Sequence, residues 1–158
     1  MSGGGSKSQV IGYIYYFGIF MGICRGPVNG LTAIRVGDKG VWWTNFHNRI
    51  TTNRKFAIEA GMVFGGLKKE GGIVGDCIAM FGRNDQTCPA DLAPMLGGTP
   101  QPGFRGAFTL FFDWMISAMN PYPKAWKMRQ WRTTAGWQNN DVFYPEKATI
   151  VLNIRPET

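Results

Sequence analysis

His47 is the single histidine of this 158-residue chain, and Cys24, Cys77 and Cys88 are its only cysteines. These four residues are the ones best suited to nucleophilic or metal chemistry. Cysteine catalysis needs a thiolate held beside an imidazole, yet no cysteine or second histidine lies near His47 in the sequence. An odd, unclustered cysteine set gives neither a disulfide framework nor a Cys-x-x-Cys metal pair. It fits small apolar thiols buried in a reducing compartment. A Ser–His–acid triad would need a serine on a Gly-x-Ser-x-Gly elbow, which is absent. Paired carboxylates for hydrolysis are an empty signal, because any two of ten acids would serve. Asp76 and Asp113 each fall in a strand-like stretch, where an acid on a solvated face is the ordinary reading. The sequence therefore names no catalytic, cofactor-binding or metal-ligating residue, and the chain reads as a non-enzyme.

Two other patterns bear on binding. Gly65–Gly75 (GGLKKEGGIVG) carries five glycines. Gly66 and Gly71 have phosphate-loop spacing, but Gly72-Ile73 stand where Lys-Ser/Thr belong, and Gly-x-Gly-x-x-Gly is absent. The stretch is read as a hinge, or as a flexible loop that orders on assembly. In Trp126–Arg132 (WKMRQWR), rings alternate with bases. Such a pattern can stack single-stranded bases, as an oligonucleotide-binding groove does. It equally suits a two-sided strand, or a subunit interface, where Trp and Arg are enriched. Lys124, Lys127, Arg129 and Arg132 have no acid among them; with Trp131 they make a candidate polyanion contact, or a strand edge guarded by charge. Seventeen Lys and Arg against ten acids give a net charge of +7, which permits an anionic partner without specifying the fold.

The elements that must position these residues are strands. Charged residues are only 17%, aromatics 14%, and glycines number 22. A disordered chain would be rich in charge and poor in rings. Only four residues are glutamate, and strong helix formers are sparse, against a helix bundle. Val10–Cys24 is apolar but only 15 residues long, short of the ~20 that span a bilayer as a helix. It is read as a buried strand with glycine bends, membrane insertion being the lesser alternative. Leu31–Val36 and Val41–Trp43 flank Gly37–Gly40 as a hairpin. Asn45–Asn53 reads as a loop, and Lys55–Phe64 and Ile73–Phe81 as strands. Thr87-Cys88-Pro89-Ala90-Asp91 has the form of a helix start, with Gly97-Gly98 ending about two turns. Phe104–Trp114 alternates, with Phe104, Gly106, Phe108, Leu110, Phe112 and Trp114 on one face. Asn120–Pro123 marks a turn, Ala125–Arg132 a strand, Thr134–Tyr144 a loop, and Thr149–Ile154 a last strand. The expected fold is mainly β: a barrel- or sandwich-like domain over 10–158, with one short helix, long glycine-rich loops, an inserted loop region near 44–103 and a flexible arm at 1–9. The closing Arg155-Pro156-Glu157-Thr158 reads as a linker, which makes the chain the N-terminal part of a longer one.

The stretch Tyr13–Trp43 resembles the N-terminal region of phage tail-tip hub proteins, the group of lambda-type tip attachment (host specificity) proteins and their gene-transfer-agent relatives. The matching residues are Tyr15, Tyr16, Gly18, Cys24, Gly26, Pro27, Val28, Ile34 and Trp42, with Gly5-Ser6-Lys7 before them. Phe64-Gly65-Gly66, Glu70–Gly75, Gln86-Thr87, Leu96-Gly97-Gly98, Phe104-Arg105-Gly106 and Asn120-Pro121-Tyr122 continue the likeness over most of the chain. Each motif alone is weak, and their order carries the resemblance. Such hubs run to many hundreds of residues, so the receptor-facing end lies beyond this chain. The resemblance implies a structural virion protein in the distal tail, assembled in the host cytoplasm. Its implied partners are sister copies in a trimer around the tail axis, adjacent tail-tube and tip proteins, and tape-measure protein or DNA in the lumen, with no membrane in the assembled particle. The implied interface residues are Tyr13, Tyr15, Tyr16, Phe17, Phe20, Gly26, Pro27, Val28, Trp42 and Trp43, with Gly71 and Gly72 touching a neighbouring subunit. In the Gly-Pro turn, proline is expected to hold Gly26 in extended geometry. The rival reading is a nucleic-acid-binding β-barrel.

Overall fold

The computed structural model describes residues 13–98, 100–118, 122 and 124–132. Seven strands form: β1 (Ile14–Arg25), β2 (Gly30–Val36), β3 (Lys39–Trp43), β4 (Arg54–Ala60), β5 (Ile73–Met80), β6 (Ala107–Ala118) and β7 (Trp126–Trp131). A four-stranded sheet runs in the order β1-β6-β5-β4, and a three-stranded sheet in the order β3-β2-β7. Every pairing is antiparallel. The expected mainly β, sandwich-like fold is what the chain adopts. The arm at 1–9, the start of the first expected strand, Thr134–Tyr144 and Thr149–Ile154 lie outside the described residues, as does all of Asn120–Pro123 except Tyr122.

Strand periodicity of two dictates the layering. Phe108, Leu110 and Phe112 of β6 alternate inward, and Cys77 and Ala79 of β5 do the same. They meet Leu31, Ile34 and Val36 of β2 and Val41 of β3 across the sandwich. From β1, Phe17, Ile19, Met21 and Ile23 close the same core. The β2–β3 hairpin turns through Gly37-Asp38, with Val36 opposite Lys39. Gly37 has φ +59, the positive value that a two-residue turn with glycine first requires.

Part of the other face of the larger sheet is buried as well. Ile78, Met80 and Phe111 point outward from it and pack with Leu92 into a second cluster, joined by Phe20, Cys88, Leu96 and Phe104. The cover is formed by residues 82–98 and 100–106, which cross the sheet as a strap. The buried runs Cys77–Met80 of β5 and Phe108–Phe112 of β6 follow from this, since both faces of the strands are covered there.

Several expectations are corrected. The stretch near 44–103 is not an insertion: it supplies β4 and β5, half of the larger sheet. The expected two-turn helix from Thr87 is a single 3₁₀ turn at Ala93–Leu96, with Leu92 before it and no side-chain cap. Pro89 and Pro94 sit five residues apart, and each removes a backbone donor, so no longer helix can be continued through them. Gly97 does end the turn, at φ +96. Phe104 is not on the inner face of β6. It precedes the strand at φ +53 and packs its ring on Phe20 at 4.7 Å. The glycine segment after β4 is an ordered turn, with Phe64 and Gly66 both donating to the Gly71 carbonyl and Gly71 donating back to Gly66.

Candidate functional site

Two places gather residues that the sequence singled out. The first is the neck of the strap. The amide of buried Gln86 bridges its two ends: Oε1 accepts from the Gly82 N–H at 2.7 Å, and Nε2 donates to the carbonyls of Gly103 at 2.7 Å and Phe104 at 3.1 Å. Arg105 Nε donates to the Gln86 carbonyl at 3.1 Å. Gly106 donates to the Gly82 carbonyl, and Gly26 donates to the Gly106 carbonyl. Val28 donates to the carbonyl of Phe81 at 3.2 Å. Gly26, Gln86-Thr87 and Phe104–Gly106, separated by up to eighty positions, are thus wired into one backbone junction. Gly26 itself has φ +76, not the extended value expected. Proline at the next position disfavours the right-handed region, and glycine is free to take a positive φ instead.

The second place is the outer face of the smaller sheet. Trp43 and Arg129 both pair with Ala33, one from each side. Their side chains therefore stand in one row on the same face, about 10 Å apart at two strand spacings. Trp131 lies two residues further along β7, and Arg35 opposite Lys127 forms the next row. Trp43 is 78% exposed, Phe46 46% and Trp131 41%. The three rings, with Ala33, Thr44, Asn45 and Arg129, line a cleft of about 360 Å³ that contains no acid.

The loop that follows β3 is built to hold this surface. Asn45 Oδ1 accepts from the Asn48 N–H at 2.8 Å, a local turn that asparagine side chains favour. Arg49 lays its guanidinium 4.1 Å over the Phe46 ring and donates to the Phe46 carbonyl at 2.8 Å. Phe46 in turn meets Trp131 edge-on at 4.7 Å. Thr32 Oγ1 donates to the Arg129 carbonyl at 3.1 Å. Phe46, Arg49 and Ala33 went unnoticed in the sequence. The signal available was weak: an Asn-x-x-Asn turn bracketing a ring.

The expected basic patch is divided. Lys124 pairs with Glu70 at 2.8 Å, and Lys127 with Asp38 at 3.2 Å. Arg129 stays exposed in the cleft, and Arg132 is half-buried. Of the expected interface residues, Tyr13, Tyr16 and Trp43 are exposed. Tyr15 and Pro27 are half-buried. Phe17 packs into the inner core and Phe20 into the outer cluster. Trp42 packs on Phe56 with ring centres 4.8 Å apart. Gly26, Val28, Gly71 and Gly72 are buried within the chain. A Cβ at Gly72 would collide with the backbone of Gly61 and Ala60, and this close approach accounts for the glycine.

His47 is exposed and stands 6.2 Å edge-on from Phe46. The three cysteines are free. Burial, with Asp76 nearby adding to it, pushes the Cys77 thiol up to about 12. Among the described residues no group of three or more His, Cys, Asp or Glu is placed to hold a metal ion, and no helix is long and apolar enough to cross a membrane. No family model matches the chain, and no curated protein matches it in sequence.

Proposed function

We propose that the chain is a structural subunit of a phage tail-tip hub, joining the tail tube to the host-attachment apparatus by assembly rather than by turnover. One observation carries the reading. The motifs on which the resemblance rests are distant in sequence, yet Gly26-Pro27-Val28, Gln86-Thr87 and Phe104-Arg105-Gly106 meet at one junction. That these motifs share one folded junction, rather than lying scattered over the chain, supports the reading. Exposed rings support the reading further. Tyr13 is 69% exposed and Tyr16 59%, and large apolar side chains left on a surface mark sites that partners cover.

In this reading sister copies surround the tail axis as a trimer, against tail-tube and tip proteins. The full chain is tested by light scattering, alone and mixed with the tail proteins encoded beside it. The expected result is self-association or a defined complex. A monomer at high concentration that ignores those neighbours would overturn the reading.

A further inference from the structure

We infer that the outer face of the β3-β2-β7 sheet is a binding site for single-stranded nucleic acid, seated on Trp43 and Trp131 with Arg129 beside them. The inference stands independently of the tail-hub reading. Single-strand sites combine rings that stack bases with cations that track the phosphates, and both are present here in register. Trp43, Ala33 and Arg129 lie side by side across three strands. The small Ala33 side chain leaves a floor between the taller Trp43 and Arg129, and the resulting cleft of about 360 Å³ is within the size range of small-ligand sites. Trp131 is held at its end by the edge of Phe46, and Arg49 over Phe46 adds a further cation to that wall.

Charge complementarity selects the occupant. The cleft has no carboxylate in its lining. Arg35 and Lys127 continue the same face beyond it, where Lys127 pairs with Asp38 of the hairpin turn at 3.2 Å. A duplex would use the cations but would set the two indoles against sugar and phosphate. An unpaired strand uses both, because every base offers a π-face to a ring and every phosphate a charge to an arginine. The rings therefore favour a single strand over a duplex.

The test is fluorescence anisotropy of a labelled short oligothymidylate titrated with the full chain. Binding is expected, with log K falling against log salt at a slope of about −2 if three cations contact phosphates. Trp43→Ala and Trp131→Ala are each expected to weaken binding by about 5- to 150-fold, the range for loss of one base stack. Trp131 also packs on Phe46, so Trp43→Ala and Arg129→Gln, which alter exposed side chains only, keep the test independent of folding. Arg129→Gln is expected to weaken binding and flatten the salt slope. No binding at low salt, binding unchanged in Trp43→Ala, or equal affinity for a duplex of the same length would each overturn the inference. So would protection of Trp43 by a protein partner without any affinity for the oligonucleotide.

Discussion

The side chain of Gln86 donates to the carbonyl of Gly103 at 2.7 Å, across seventeen positions of sequence, and any Cβ at position 103 would run into the backbone carbonyl of Gln86. The two residues define each other: the glycine lets the chain approach, and the amide satisfies the backbone groups that the approach buries. Around them the strap that covers the larger sheet begins and ends.

Replacing Gln86 by alanine strands the buried Gly82 N–H and the half-buried carbonyls of Gly103 and Phe104. Each unsatisfied buried group costs about 1–3 kcal/mol. Chemical denaturation is expected to show a loss of roughly 3 kcal/mol or more for Gln86→Ala. A loss within about 0.5 kcal/mol, the scale of an ordinary surface substitution, would mean that the amide does not hold the strap.

Glycines at two packed positions should respond very differently to alanine. At Gly18 a Cβ meets only the thioether end of Met95 and a carboxylate oxygen of Asp113. Met95 is half exposed and can swing away, so Gly18→Ala is expected to cost less than about 1 kcal/mol. At Gly72 the obstacle is backbone on the other side of the turn, and Gly72→Ala is expected to cost about 2 kcal/mol or more. Thermal unfolding of the two variants, compared directly, checks the ranking.

Cys77 is the buried thiol, and its ionisation is held off chiefly by desolvation, up to about 12. Under native conditions a thiol reagent at mildly alkaline pH is expected to leave Cys77 unmodified, and to label it once denaturant is added. The linkage sign follows from the direction of the shift. The folded state keeps a proton that the unfolded chain releases, so this stabilisation is complete below the unfolded value of 9.0 and is lost as pH rises toward about 12. Peptide mapping after labelling identifies the modified cysteine.

Lys55 bridges Asp76 of β5 and Asp91 of the strap, at 3.0 and 2.9 Å. The hydrogen bonds to Asp91 and then Asp76 raise its pKa above 10.5. All three groups are about half exposed, where salt screens such pairs. Hydrogen exchange is expected to show the strap opening faster in Lys55→Met, at high salt, and as pH rises through the raised lysine value, with β5 and β6 unaffected. Uniform loosening of the whole domain would contradict this local role.

How legible the fold was depended on range. The alternation of Phe108, Leu110 and Phe112, and the Gly37-Asp38 turn, are local signals, and they were readable. The pairing of β1 with β6, which sets Ile14 opposite Ala118, is not encoded in any short window. Nor is the covering of part of the larger sheet on both faces, which turned Phe104 outward. Thr87-Cys88-Pro89 carried a helix-start signal, but two prolines and a buried glutamine claimed that segment for the strap. In the cleft of the smaller sheet, Trp131 and Arg129 were visible as ring and base on one strand. Phe46 and Trp43 were recognisable as partners only once β3 and its following loop were laid beside β7.

The central claim, assembly into a tail tip, is tested most directly by electron cryo-microscopy of tails purified from cells in which the gene is active. The account predicts copies of this two-sheet unit around the axis at the distal end of the tube, with Tyr13 or Tyr16 covered by neighbouring subunits. Complete tails that lack the chain, with the protein left free in the lysate, would contradict it.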